Sequence, residues 1–405
     1  MKHRILVAVA CVVLAAVILL LLPSAHPQMS TPSKPTHTTT GTKPTTPQTN
    51  PPELPGAVRL YSCNEAWAAA LEVLAAQYTD LTGVPVLVLR PENDDCQASL
   101  DLLLESEDPP TVLCVHSQSQ LQDRKDDLLD LNNTAFASSL YAASYGLYLE
   151  GNLVAVPMDL EGFGLLLNAE VLGAKGALSR NDITDRQTLA MAAQILKDNS
   201  VKAFPAADFD TLTAVCLMLR SDASQLREFL DLYMSNCHTS GTSRDQFRNG
   251  QCAFYLGGTW SYPRLFSDEE QALQVRNLDI LPAFTAGGMQ YLFSTAWCVN
   301  GSARQTDVDA TLAFLAWLVS PGKDGTVPVD ALQTLTPFAG SGWYGNQLEK
   351  KLLSYMNTEP AVVRWTPASG DYTKLLVAMQ TYVDSRTDEN WNLLQVILGQ
   401  VAGNA

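Results

Sequence analysis

The stretch NGQCAFYLGGTWSYP, residues 249–263, decides the fold. It follows residues 242–248, which begin with Thr242 and Ser243, two residues of the type that caps a helix. Residues 252–256 then form a short, continuously apolar run, which is typical of a strand buried on both faces of a parallel sheet. The order predicts a helix, a glycine turn and a strand that has to be covered by helices.

Two glycines and a tryptophan follow this strand. Gly257 and Gly258 have no side chain, so the backbone there can turn sharply or approach a ligand closely. Trp260 adds a large flat ring, whose shape suits stacking on a sugar ring. The alternative is a core aromatic residue beside a tight turn, and the stretch alone leaves both interpretations open.

Strands and helices alternate from residue 57 onward. Residues 57–62 and 84–89 are strand-like, and between them apolar residues recur at helical spacing. These apolar residues are Trp67, Leu71, Leu74 and Tyr78. A further helix at residues 97–105 leads to a strand at residues 111–115. This alternation predicts a parallel sheet with helices on both faces.

Three segments together resemble the extracellular solute-binding proteins of ABC importers, in particular the carbohydrate-binding, maltose-binding-protein-like family. Residues 249–263 are similar to the family's G-x-A-x-M-x-x-x-G-x-W signature, and residues 82–86 to its TG-[IV]-x-V turn. Residues 152–168 resemble the segment in which the family's chain crosses between lobes. Two details depart from the pattern: Thr111 follows Pro110 in place of Asp, and Leu167 replaces Tyr.

The resemblance implies an α/β, two-lobed, periplasmic-binding-protein-like (type II) fold with hinge crossings. It divides a solute-binding domain at residues 56–405 into a first lobe of about residues 56–158 and 294–330, and a second of about residues 165–290 and 335–405. It implies capture of a small solute, with a sugar or oligosaccharide as the first choice, and delivery to ABC transporter permease subunits. It implies no enzyme activity, no cofactor and a monomer.

Composition agrees with a globular exported protein. The chain has 405 residues, of which 46% are hydrophobic and 17% charged, enough to bury a core in more than one lobe. The formal net charge of −16 argues against nucleic acid and anionic membrane surfaces as partners, because both attract basic surfaces.

The N-terminal segment predicts a membrane anchor. Lys2 and Arg4 precede an apolar run at residues 5–22, so residues 1–26 are interpreted as a signal anchor or transmembrane helix with the remaining chain outside the cytoplasm. The sequence around Ala25 is a poor signal-peptide cleavage site, because it lacks the small residue expected three positions before the cleaved bond. If cleavage occurs, the protein is secreted. The Pro/Thr-rich residues 27–55 predict a disordered linker.

Seven of the eight cysteines follow this anchor, so disulfides are permitted there. Cys237 and Cys252 flank one helix and are the favoured pair. Cys63 with Cys96 or Cys114 is also reasonable, because these residues lie near the ends of adjacent predicted strands.

Catalytic and metal-binding motifs are lacking in the sequence. It contains no C-x-x-C, H-E-x-x-H, G-x-S-x-G or P-loop pattern, so no metal site is predicted. A pair of glycosidase carboxylates remains compatible with the 42 acidic residues.

Ligand in a two-lobed α/β binder lies at the carboxyl ends of the strands, and this rule selects the candidate site. The selected residues are Asn64, Glu65, His116, Ser117, Asp159, Glu161, Trp260 and Trp343. Asn64 has the alternative role of a helix cap, and Asp159 and Glu161 that of solvated turn residues. A membrane-anchored sensory or adhesive ectodomain without transport is the alternative function.

Overall fold

The computed structural model describes residues 56–91, 95–218, 223–266, 277–282, 288–358, 360–366 and 369–404. The predicted anchor at residues 1–26 and the predicted linker at residues 27–55 lie outside the described residues. Within the described ranges, no helix combines the length and the apolar character needed to cross a bilayer.

Eleven strands in the described residues form two sheets. The strands are β1 (Val58–Tyr61), β2 (Val86–Leu89), β3 (Val112–Val115), β4 (Leu147–Leu149), β5 (Asn152–Pro157), β6 (Glu161–Asn168), β7 (Phe254–Gly258), β8 (Leu278–Pro282), β9 (Met289–Phe293), β10 (Ala296–Val299) and β11 (Ala361–Trp365). The first sheet has the order β2-β1-β3-β10-β5-β4, and the second has β11-β9-β6-β7 with β8 also paired to β6. We call the parts built on these sheets the first and second lobe.

Helices cover both sheets. They are α1 (Ala68–Thr82), α2 (Cys96–Leu104), α3 (Gln118–Asp123), α4 (Ala135–Ser138), α5 (Arg186–Asp198), α6 (Phe209–Met218), α7 (Ala223–Asn236), α8 (Ser243–Arg248), α9 (Tyr262–Leu265), α10 (Gln305–Leu318), α11 (Gln347–Met356), α12 (Ser369–Asp384) and α13 (Asp388–Asn404). Shorter turns lie at Glu65–Trp67, Ala143–Tyr145, Ala169–Val171, Leu172–Gly176, Arg180–Asp182, Thr259–Ser261 and Pro328–Leu332. The structure therefore confirms a mixed α/β fold with two sheets.

The opening β1-α1-β2 unit forms where the sequence predicts it. β1 pairs parallel to both β2 and β3, and all four of its residues are buried. The predicted helical stripe faces the core, since Leu71, Leu74 and Tyr78 on α1 are buried. Gly83 ends the helix with φ of 75°, a left-handed conformation that glycine adopts without strain.

The prediction that residues 252–256 form a strand of a parallel sheet is wrong in the direction of that strand. β7, which lies within residues 249–263, is fully buried as expected but runs antiparallel to β6. β10 is likewise antiparallel to β3 and β5. An apolar run indicates burial on both faces without indicating strand direction, which long-range connections determine.

The chain crosses between the sheets at three places. It leaves the first sheet after Pro157 and enters the second at Glu161; it returns between Phe293 and Ala296. Backbone hydrogen bonds run from Met158 N to Thr295 O (2.9 Å), between two of these crossings, and from Leu160 N to Leu335 O (2.8 Å). We call residues 158–160 the first crossing and 294–295 the second; the third lies between β10 and β11.

The cysteine prediction is also wrong in its favoured pair. Cys63 and Cys96 form a disulfide, one of the two alternatives for Cys63, whereas Cys237 and Cys252 are buried free thiols. The segment at residues 202–204 runs between the latter two, because Lys202 bridges to Cys252 and Phe204 bridges to Cys237. Two strand spacings, about 10 Å, exceed the reach of a disulfide.

A buried ion pair fixes α10 against β1. Arg59 Nη2 lies 2.8 Å from Asp307 Oδ2, and the two side chains are 6% and 1% exposed. Burial raises the pKa of Asp307, but hydrogen bonds from Arg59, Ala57 and Arg304 outweigh it and the net shift is downward. The ion pair therefore stabilises the folded protein fully at pH values above the usual carboxylate pKa. This stabilisation is lost as the pH falls through the lowered pKa of Asp307.

Replacing Asp307 by alanine is expected to destabilise the protein by about 3–5 kcal/mol, since it leaves the Arg59 charge buried and unpaired. Urea unfolding measures the change. Asp309→Ala is the matched control: Asp309 lies on the same helix, exposed, and is expected to cost little. Equal effects of the two variants would contradict the importance of the ion pair.

The disulfide offers a second test. It closes a loop of 33 residues, so the double variant Cys63→Ser/Cys96→Ser is expected to lose about 3–4 kcal/mol of unfolding free energy. Peptide mapping without reduction should recover the Cys63–Cys96 link. Recovery of a Cys237–Cys252 link in its place would refute this connectivity.

Candidate functional site

Four predicted site residues follow β1 and β3 at the same edge of the first sheet. Asn64 caps the turn at Glu65–Trp67, where its side chain accepts a hydrogen bond from Ala66 N at 3.0 Å. Ser117 caps α3 by accepting from Gln120 N at 3.2 Å. Both caps orient the loops at the sheet edge, and Glu65 is exposed beside the first of them.

His116 connects this edge to the second crossing. Its Nδ1 lies 3.0 Å from Ser294 O, and its Nε2 lies 3.5 Å from the Cys114 sulfur. Burial lowers the pKa of His116 despite the hydrogen bond with Ser294, so the neutral imidazole is favoured. Burial also raises the pKa of Cys114 to about 12, which keeps that thiol protonated.

A concave region of about 710 Å³ opens beside His116. Its lining comes from the first lobe: Cys63, Asp95, Cys96, Gln97, His116 and Gln120. The disulfide forms one wall, since it joins the end of β1 to the start of α2. The region is a shallow depression, open to solvent, at the carboxyl ends of parallel strands.

Asp159 lies in the first crossing and binds the second. Its carboxylate accepts from Thr295 N at 2.8 Å, from Ser294 N at 3.2 Å and from the Ser294 hydroxyl. Burial raises the pKa of Asp159 to about 6, although these hydrogen bonds lower it. Asp159 is thus a half-buried group that joins the first and second crossings.

Glu161 begins β6 on the second-lobe side of the crossing. Its carboxylate accepts hydrogen bonds from the Thr259 hydroxyl and from the backbone of Trp260. Desolvation raises the pKa of Glu161; the Thr259 bond lowers it, and the charges of Glu349 and Asp159 raise it further. The side chain nevertheless keeps an exposed surface, on which a ligand can form hydrogen bonds.

Trp260 follows the end of β7 and is partly exposed. Its ring stacks on Phe163, with centroids 5.8 Å apart and planes at 9°. The Trp260 ring packs closely on the backbone of Gly258, two residues earlier, so this position requires glycine. A Cβ at Gly258 would lie 2.1 Å from the indole ring. The backbone glycine thus makes room for Trp260.

Two carboxylates hold the loop that carries Trp343. Asp330 accepts from the Ser341 hydroxyl at 2.6 Å and from Gly342 N at 3.2 Å, and Glu349 accepts from Gly345 N at 2.5 Å. Burial raises the pKa of Glu349, the carboxylate that also raises the pKa of Glu161. The loop that carries Trp343 is therefore tied to Glu349, whose charge acts on Glu161.

Five of the eight predicted site residues fall into two connected groups. Glu161 links Trp260 to Glu349 and the Trp343 loop in the second lobe, and Asp159 links to His116 through Ser294. Asn64, Glu65 and Ser117 act at or beside caps on the first-lobe edge. Within the described residues, no group of three or more His, Cys, Asp or Glu side chains is placed to hold a metal ion.

Sequence reasoning missed several residues here. Trp365 Nε1 donates to Gln118 Oε1 at 3.1 Å, joining the second lobe to the first, and its ring packs on Phe293 at 4.4 Å. The signal was present, because the run AVVRW at β11 has the β-branched composition of a strand. Glu349 had no such signal, since its role depends on how α11 docks.

A family model of bacterial extracellular solute-binding proteins matches residues 73–325, more than half of the chain. The chain belongs to this family. Membership confirms the resemblance and places the action of this solute-binding protein outside the cytoplasm. Among curated proteins, no sequence matches the chain.

Solved structures share the fold of this solute-binding protein. The bacterial solute receptor AcbH, described as exclusively preferring β-D-galactopyranose, aligns with a TM-score of 0.66 at 16% identity over 86% of this chain and 98% of its own. A family 1 solute-binding protein from Alicyclobacillus acidocaldarius aligns at 0.63, with 13% identity over 86% and 98%. A cyclic α-maltosyl-1,6-maltose binding protein from Arthrobacter globiformis aligns at 0.59, with 16% identity over 86% and 99%.

Gly258→Ala tests the packing of Trp260. The added methyl group would displace the indole, so we expect a loss of about 1–3 kcal/mol and a shift in tryptophan fluorescence. Gly342→Ala is the control, because a Cβ there meets no atom within 4 Å. Unchanged fluorescence and stability in Gly258→Ala would contradict the close approach of ring and backbone.

Proposed function

We propose that this solute-binding protein captures a sugar or oligosaccharide between its lobes and delivers it to the permease subunits of an ABC transporter. The observation that carries the proposal is the partly exposed Trp260 ring beside the Glu161 carboxylate. Sugars present C–H faces to aromatic rings and hydroxyl groups to carboxylates, so this pair suits both parts of the ligand.

The other site residues extend this surface. Trp343 offers a second ring near Glu349, while His116 and Gln120 line the first-lobe region. The carboxylates of Asp159, Glu161 and Glu349 disfavour phosphate, sulfate and acidic sugars through like-charge repulsion. A neutral sugar is therefore the ligand class that the site supports best. Two of the structural neighbours, a receptor for galactopyranose and a binding protein for cyclic maltosyl-maltose, agree with this choice.

Capture would proceed by hinge closure, without catalysis. The lobes rotate about the crossings, and a ligand that contacts both lobes shifts the population toward the closed state. We infer that the protein acts as a monomer. The apolar segment at residues 5–22 would anchor it in the cell membrane, with the linker at residues 27–55 giving the binding domain reach.

Thermal unfolding of the full chain in detergent, against a panel of neutral sugars, polyamines, amino acids and oxyanions, tests the proposal. A sugar at about 100 times its dissociation constant should stabilise by about 2.7 kcal/mol. Trp260→Ala should abolish the shift, while Tyr148→Ala, which removes an exposed ring on β4, should retain it.

Two outcomes would count against sugar import. A shift only with polyamines or oxyanions would reassign the ligand class. Silence across the panel in a well-folded sample would favour the sensory or adhesive ectodomain.

A further inference from the structure

The first and second crossings meet at one side chain. Asp159 belongs to the first crossing, and the donors to its carboxylate, Ser294 N, the Ser294 hydroxyl and Thr295 N, all belong to the second. The backbone bond from Met158 N to Thr295 O, at 2.9 Å, lies directly beside this contact. Two segments 135 residues apart in sequence are thus held together where the chain passes between the lobes.

This arrangement leaves Asp159 little capacity for a ligand. An ionised carboxylate offers about four acceptor positions. Ser294 N contacts both oxygens, the Ser294 hydroxyl contacts Oδ2, and Thr295 N contacts Oδ1. Glu161, two residues later, has an exposed surface and is the better ligand contact.

We propose that Asp159 is a positioning residue of the hinge, whose carboxylate ties the first and second crossings together so that they move as one unit when the lobes close. The inference rests on the proposed function, because it assigns Asp159 to the lobe motion that capture of a solute requires. Hinge motion is absorbed by a few residues between rigid bodies, so a clamp at these residues makes the two crossings a single hinge element.

The clamp should respond to pH. The groups that face Asp159 are the Cys114 thiol on β3, Glu161 on β6, Ser294 and Thr295 in the second crossing, and His116, which reaches it through Ser294. Burial raises the pKa of Asp159 to about 6, and we take release of the clamp to expose the carboxylate to water, where its pKa is lower. Lowering the pH from 7 to 5 therefore favours the clamped form, and raising it favours release of the clamp.

Hydrogen exchange on the full chain in detergent, with no solute present, tests this proposal. In the wild type, the protection of the Ser294 and Thr295 amides, corrected for intrinsic rates, should rise up to about tenfold between pH 7 and pH 5. Asp159→Ala should lower the protection of both amides. Asp159→Asn keeps one carbonyl oxygen, so it should restore part of the protection of Asp159→Ala and should lose the pH response.

Glu161→Gln is the matched control, because it removes a neighbouring carboxylate outside the clamp and should keep the pH response. Unchanged protection in Asp159→Ala would overturn the proposal, and so would a wild-type pH response in Asp159→Asn. If Asp159→Ala does not fold, the test rests on the pH response of amide protection in Asp159→Asn compared with that in Glu161→Gln. Because no sugar is used, a silent ligand panel would refute the proposed function without affecting this result.

Discussion

The central strand of the second sheet constrains the rest of the structure. β6 pairs with β7 along one edge and with β8 and β9 along the other, and seven of its eight residues are buried. Its alternate side chains enter different cores: Leu165 packs among the helices of the second lobe, whereas Leu166 joins the core that continues into the first. Register along β6 is therefore strongly specified, since a slip of one residue would exchange the two faces.

The site follows from this constraint. Because β6 begins directly after the first crossing, its first residue, Glu161, emerges at the junction of the lobes. β7 ends opposite that point, with Gly258 paired to Phe163, and so delivers Thr259 and Trp260 to the same carboxylate. The second crossing supplies Ser294 from the other direction. The proposed ligand contacts and the proposed clamp are thus neighbours, because both depend on where β6 begins.

The sequence predicted the local features well and the long-range ones poorly. The β1-α1-β2 unit could be predicted because periodicity, a cap at Asn64 and Gly83 are local signals. The antiparallel direction of β7 and the failed Cys237–Cys252 pair depend on segments far away, since residues 202–204 intervene between those thiols. The part of Asp159 in the hinge depends on Ser294, which no local pattern connects to it.

The position of β10 has a consequence for how the protein is made. β10 lies between β3 and β5 near the middle of the first sheet, although it comes from late in the chain. The first lobe therefore remains unfinished until most of the polypeptide has emerged, with the edges of β3 and β5 unpaired in the meantime. Pairing over such separations is slow. Until the late segments of the chain arrive, those unpaired strand edges are open to pairing with other chains.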